Sequence, residues 1–190
     1  MEPLVRARLC SQNQHKRAEL ERILTGWQIE LLDGDEYPPE VGETFLENAR
    51  AKAEHGRRVG PADEWMLGED SGLELGALGG RPGVETARWA EGQHVEHALE
   101  ALAGEADRSA SYVCELVVLS PEGRELRGTG TLDGQIAPGP RGNEGFGFDP
   151  VFVPEGEERT VAELGDAWKA EHSHRARAAR ALLEALSEAR

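Results

Sequence analysis

The chain has 190 residues, 38% of them hydrophobic, with a mean hydropathy of −0.55 and a formal net charge of −15. That length suits a single domain spanning residues 1–190, built as two lobes over a sizeable core. The acidic balance speaks against nucleic-acid backbone as a partner, because phosphate contacts need basic patches. No apolar run approaches the length of a membrane span, and the first ten residues lack the apolar core of a signal peptide. Cys10 and Cys114 sit in apolar runs, as expected of buried thiols in a cytoplasmic protein.

In chain order, Val5, Ala7 and Leu9 alternate with Arg6 and Arg8 and predict a first strand. Ser11-Gln12-Asn13 then opens a helix whose apolar stripe is Leu20, Ile23, Leu24 and Trp27. Residues 28–32 read as a second strand, followed by an acidic, Pro-containing loop over 33–42. Thr44 and Glu47 have capping-box spacing and start a helix over 44–58 with Phe45, Ala49 and Ala53 on its inner face. Trp65–Gly68 and Leu73–Leu78 read as two strands on either side of a Ser71-Gly72 turn. Val95, Ala98, Leu99 and Leu102 mark a third helix. Residues 110–119 form a strong strand, Pro121-Glu122-Gly123 a turn, and 125–132 its hairpin partner, with a further strand at 133–137. A Gly/Pro-rich loop covers 138–147, Phe148–Val153 is a short apolar run, and a last helix covers 174–188 with Ser173 as N-cap. The pattern predicts an α/β fold with a mixed sheet flanked by helices.

Five segments carry chemistry. Ser11, Gln12, Asn13, Gln14, His15 and Lys16 lie where a strand gives way to a helix N-terminus, which attracts anions. Of 21 basic residues only Lys16, Lys52 and Lys169 are lysines, the compact cation that suits a phosphate oxygen. Glu40 precedes the second helix, and Lys52 lies about two turns into it. Glu69 and Asp70 end an apolar run. Neighbouring strand residues point to opposite faces, which favours Asp70, beside Ser71, as the residue that binds a divalent cation and accepts a proton from water. In Gly142–Pro150, glycines flank Phe146 and Phe148, a stacking surface for a flat ligand, with Gly147 and Asp149 beside them. His174 and Arg175, after Lys169 and Ser173, place cations in a first helical turn against the macrodipole, a costly placement that suits a ligand contact.

Read together, SQNQHK, TFLENARAKA, DSGLELGALGGRPGVETAR, FGFDPVF and KAEHSHR resemble, in order from Ser11 to Arg175, the motifs of the inosine triphosphate pyrophosphatase family. The resemblance implies an elongated α/β protein with a mixed sheet, two lobes, an active-site cleft between them, and a homodimer. It implies Mg²⁺-dependent cleavage of the purine nucleoside triphosphates ITP, dITP and XTP to the monophosphate and pyrophosphate, which clears deaminated purines from the nucleotide pool. By the same resemblance, Ser11–Lys16 cradle the triphosphate with Lys52 close by. Glu40 and Asp70, together with Glu69, hold the metal; Asp70 also activates water, and Ser71 contacts substrate. Phe146, Gly147, Phe148 and Asp149 form the base pocket, which Lys169, His174 and Arg175 complete. Asp149 could accept from the N1–H of hypoxanthine or xanthine, and His174 or Arg175 could donate to O6; adenine offers neither group. Two positions depart from the family pattern: Gln12 stands where glycine is common, and Glu69 where aspartate is usual in bacterial members. A purine-nucleotide sensor without turnover and a pyrophosphatase for modified pyrimidine nucleotides remain the alternatives.

Overall fold

Apolar alternation at the start of the chain becomes β1 (Val5–Leu9), with Ala7 and Leu9 buried and Arg6 and Arg8 ion-paired to Asp63, Glu30 and Glu64. The structure, a computed structural model, describes residues 4–34 and 37–188; Asp35 and Glu36 of the acidic loop lie outside the described residues. Helix α1 (Gln14–Ile23) begins where the Asn13 side chain accepts from the amides of His15 and Lys16. Trp27 is not on its stripe. The chain turns at Gly26, with φ of 86°, and Trp27 opens β2 (Trp27–Leu31), edge-on to the ring of Trp65. Helix α2 (Phe45–Val59) carries the expected capping box, with Phe45, Ala49 and Ala53 buried.

The largest departure from the sequence expectation is β3 (Trp65–Leu75), one unbroken strand through Glu69, Asp70, Ser71 and Gly72. Ser-Gly is turn chemistry, but Leu67, Leu73 and Leu75 are all fully buried, and burial overrides a local turn preference. Next come α3 (Thr86–Ala90), α4 (His94–Ala101) and β4 (Ser109–Leu119). A tight turn, closed by hydrogen bonds from Gly123 N to Ser120 O and from Ser120 N to Arg124 O, leads into β5 (Glu125–Ile136). That strand is continuous where two segments were expected. After β6 (Phe152–Pro154) comes α5 (Val161–His172), a helix the sequence reading left out, and then α6 (His174–Glu188). Ser173 separates the last two helices.

The strands form a mixed six-stranded sheet in the order β2-β1-β3-β4-β5-β6; β1 is parallel to β2 and β3, and β5 is antiparallel to β6. The chain divides into two units, the first Met1–Asp70, Cys114–Gly130 and Arg175–Arg190, the second Ser71–Val113 and Thr131–His174. In the first unit Leu20 of α1, Leu24 at its C-cap, and Ala178, Ala179 and Leu182 of α6 bury Leu9 and Leu67 on one face of the sheet. Ala49 and Ala53 of α2 bury Met66, Val117 and Leu119 on the other. Gly68 makes this second contact possible: a Cβ there would lie 1.8 Å from Ala49 O. The second unit has its own core of Leu73, Leu75, Ala98, Tyr112, Leu132, Phe148 and Phe152. Among the described residues no helix is long and apolar enough to cross a membrane.

Candidate active site

In the first unit, β3 carries two adjacent acids, and its pleat sends them to opposite faces. Asp70 points to the α2 side. Its Oδ1 accepts from Lys52 Nζ at 2.9 Å and its Oδ2 from Asn48 Nδ2 at 3.0 Å. Lys52 Nζ also meets Glu40 Oε1 at 2.5 Å and donates to the Glu69 carbonyl at 3.1 Å. Asn48 in turn accepts from the amide of Gly42 at 2.8 Å, which ties the Glu40 loop to the strand. Asp70 and Lys52 are buried, and Glu40 is partly exposed. Burial pushes the Asp70 carboxyl above its ordinary range despite the opposing pull of Lys52 and Asn48. Burial works to lower the Lys52 ammonium, but the Asp70 and Glu40 carboxylates outweigh it and its pKa rises.

Glu69 points to the α1 and α6 side. Its Oε2 lies 2.6 Å from Lys16 Nζ, and its Oε1 accepts from Arg175 Nη2 at 2.8 Å and Nε at 3.1 Å. The thiol of Cys114 donates to the same Oε1 at 3.5 Å, and Arg175 Nη1 pairs with Glu19. Burial works to raise the Glu69 carboxyl, yet Lys16 and Arg175 hold it well below the usual carboxylate range. Burial pushes the Cys114 thiol far up, with the Glu69 anion adding to it. Arg175, expected beside the base, thus lies among Glu69 and Glu19. In the turn before α1, Ser11 Oγ accepts from Asn13 N, and Gln12, Gln14 and His15 are exposed.

The residues present fit a divalent cation in one place. Glu40 and Asp70 converge on a single ammonium, so their carboxylates can meet on one charge. Mg²⁺ commonly takes one or two protein carboxylates and completes its shell with phosphate and water. Among the described residues no group of three or more His, Cys, Asp or Glu side chains forms a cage.

In the second unit, Asp149 organises the glycine loop. Its Oδ2 accepts from Lys169 Nζ at 2.7 Å and from the Phe146 amide at 2.8 Å, and its Oδ1 from Tyr112 Oη at 3.3 Å. The ammonium of Lys169 sits 4.6 Å from the centroid of the half-buried Phe146 ring. Gly145, with φ of 78°, leaves room for this carboxylate; a Cβ there would lie 2.1 Å from Asp149 Oδ2. Phe148 is buried among Trp89, His94 and Tyr112, and a Cβ at Gly147 would lie 3.7 Å from His94 Cδ2. The His174 ring stacks on Tyr112 at 4.6 Å and 9°. Ser71 follows Asp70 on β3 and is half-buried.

The structure therefore gathers Glu40, Lys52 and Asp70 in one group, Lys16, Glu69 and Arg175 in a second, and Phe146, Phe148, Asp149, Lys169 and His174 in a third. Sequence reasoning missed Asn48, Glu19 and Tyr112. Asn48 stands inside a quoted motif one turn before Lys52, and Glu19 one turn after Lys16, spacings that put each on its neighbour's helix face. Tyr112 had no signal beyond its place in an apolar strand.

The chain matches the family model described as the Ham1 family over residues 7–185. It is 44% identical over 185 residues to the dITP/XTP pyrophosphatase of Gloeobacter violaceus, a match covering 94% of this chain and 93% of that protein. Its fold is similar to that of the Staphylococcus aureus Ham1 protein, with a TM-score of 0.81 and 33% identity over 97% of this chain and 98% of that one. A HAM1 protein from Coxiella burnetii is equally near, with a TM-score of 0.81 and 34% identity over 97% and 99% of the two chains.

Proposed function

Because the chain belongs to the Ham1 family, we propose that it is a nucleoside triphosphate pyrophosphatase for deaminated purines. It cleaves ITP, dITP and XTP between the α- and β-phosphates and releases the monophosphate and pyrophosphate. The observation that carries this reading is the convergence of Glu40 and Asp70 on Lys52, an acid pair with its own cation at the end of a buried strand segment.

Asp70 is the general base. Its carboxylate takes a proton from the attacking water. Asn48 fixes its second oxygen and so its orientation. Glu40 and Asp70 hold Mg²⁺, which when bound neutralises phosphate charge and polarises the scissile anhydride. Lys16 and Lys52 offset further phosphate charge, and the positive end of the α1 dipole adds to it.

The second unit reads the base. Phe146, with the Lys169 ammonium beside its ring, offers a face for a purine. His174, held flat on Tyr112, donates to a C6 keto oxygen, which adenine lacks. Asp149 serves this pocket by holding Lys169 and the Phe146 amide. The enzyme acts as a cytoplasmic homodimer, a state that light scattering on a sizing column would check.

The test is incubation with ITP, XTP, GTP and ATP plus Mg²⁺, with pyrophosphate as the readout. Release from ITP and XTP well above ATP supports the reading. No release from either, or orthophosphate in its place, overturns it.

A further inference from the structure

We propose that Glu69 is a positioning residue, which anchors Lys16 for the substrate phosphates from inside the protein and does not ligate the metal. The proposal rests on the reading of Lys16 as a phosphate-binding residue.

Four charges alternate around Glu69. Lys16 lies on its Oε2 and Arg175 on its Oε1, and Arg175 reaches on to Glu19. Lys16 and Glu19 are three residues apart on α1, so the same helix face supplies both ends of the chain of charges. Cys114 adds a thiol donor to Oε1. The four side chains grade from inside to outside: Glu69 is 0% exposed, Arg175 2%, Glu19 11% and Lys16 17%. The inner carboxylate is thus enclosed, and the Lys16 side chain is the most exposed member of the chain of charges.

Two facts separate Glu69 from the metal. It faces α1 and α6, whereas Asp70 and Glu40 meet on the α2 side of the same strand. Both its oxygens already face cationic groups, so a metal would have to push aside Lys16 or Arg175. Displacing Arg175 would break both its hydrogen bonds to Glu69, and displacing Lys16 would break a 2.6 Å ion pair to a fully buried carboxylate.

A lysine is a point charge on four flexible carbons and brings no orientation of its own. A fixed carboxylate at 2.6 Å limits where that charge can sit before the substrate arrives. Less freedom is then lost on binding, and the ammonium is in place for the reaction.

The experiment is a double-mutant cycle between Lys16→Met and Glu69→Gln, read as kcat/KM for ITP, together with a metal titration. Mn²⁺ is titrated into each protein with α,β-methylene-ITP and followed by electron paramagnetic resonance. Glu69→Gln should lower kcat/KM about 100-fold, with Mn²⁺ affinity within about twofold of the parent. The double variant should lose no more than Lys16→Met alone, because Glu69 acts through that lysine. Glu69→Asp, which keeps the charge one methylene short, should recover part of the loss; it takes the place of Gln in the cycle should Glu69→Gln not fold. A fall in Mn²⁺ affinity matching that of Asp70→Asn makes Glu69 a ligand and overturns the proposal. Additive losses in the cycle overturn it too, since they describe a structural role independent of Lys16. Normal kcat/KM in Lys16→Met would instead remove the phosphate role of Lys16, a separate failure.

Discussion

Gly68→Ala perturbs the active site through a residue that contributes no side chain. The Cβ it adds would lie 1.8 Å from Ala49 O and 2.6 Å from Ala53 N, both backbone atoms of α2. Ordinary contact begins at 3.4 Å, so the helix must retreat by roughly 1.6 Å. The Asn48–Asp70 and Lys52–Asp70 bonds, at 3.0 and 2.9 Å, then open to roughly 4.5 Å, beyond hydrogen-bond reach. Overpacking of this kind costs about 1–3 kcal/mol, and about 2 kcal/mol lowers the Tm of a chain this size by about 4–8 °C. Misplacing catalytic groups by more than an ångström should lower kcat/KM on ITP by about 100-fold. Gly56→Ala is the control. It lies on the same helix face as Ala49 and Ala53, but the nearest atoms to its Cβ would belong to the Met66 side chain, at 3.3 Å and beyond, so activity should stay within about twofold of the parent. Calorimetry and pyrophosphate release measure both variants. Gly68→Ala with parental Tm and kcat/KM would refute the argument that a bare backbone contact sets the position of Asn48 and Lys52.

Asp70→Asn should lower turnover by about two to four orders of magnitude while leaving Tm equal or higher. Its folded pKa is raised, so its ionisation opposes folding: the stability tied to it is greatest below the ordinary carboxyl pKa and falls as pH rises through the raised value. A large drop in Tm would show that its anion is a net support of the fold. Asp149→Ala should destabilise the protein by about 3–5 kcal/mol, seen in the denaturant midpoint, because it breaks a buried ion pair with the Lys169 ammonium; KM for ITP should rise as the Phe146 loop loses its anchor. Cys10 is 1% exposed, with its thiol pushed up to about 11 by burial, and Cys114 is fully buried, so neither should react with Ellman's reagent at pH 8 until guanidinium unfolds the chain.

Periodicity and capping chemistry made much of the fold legible. The Thr44–Glu47 box placed α2, and alternation placed β1. The Thr160–Glu163 pair is the same box, with both reciprocal bonds present, and announces α5 equally well. What obscured it is Gly165, whose backbone (φ 85°, ψ 176°) breaks the helical period that a stripe would need. The Ser71-Gly72 pair read as a turn because local preference is all a single strand displays; what keeps β3 straight is burial supplied by residues far away in the chain. At the site, the pleat argument for opposite faces could be made in advance, since it depends only on strand geometry. The attachment of Arg175 to Glu69 and Glu19 could not, because contacts across 106 and 156 residues have no local signature.

Those separations also order events during synthesis. Glu19 and Glu69 leave the ribosome early, whereas the guanidinium that joins them comes 106 residues after Glu69. At about 5–20 residues per second, that is a wait of roughly 5–20 s. Through that interval β1 and β3 can form and pair, but the Glu69 carboxylate lacks one of its two cations. The nascent chain therefore carries its first strands and their acids long before it carries a finished site, and competence arrives with α6.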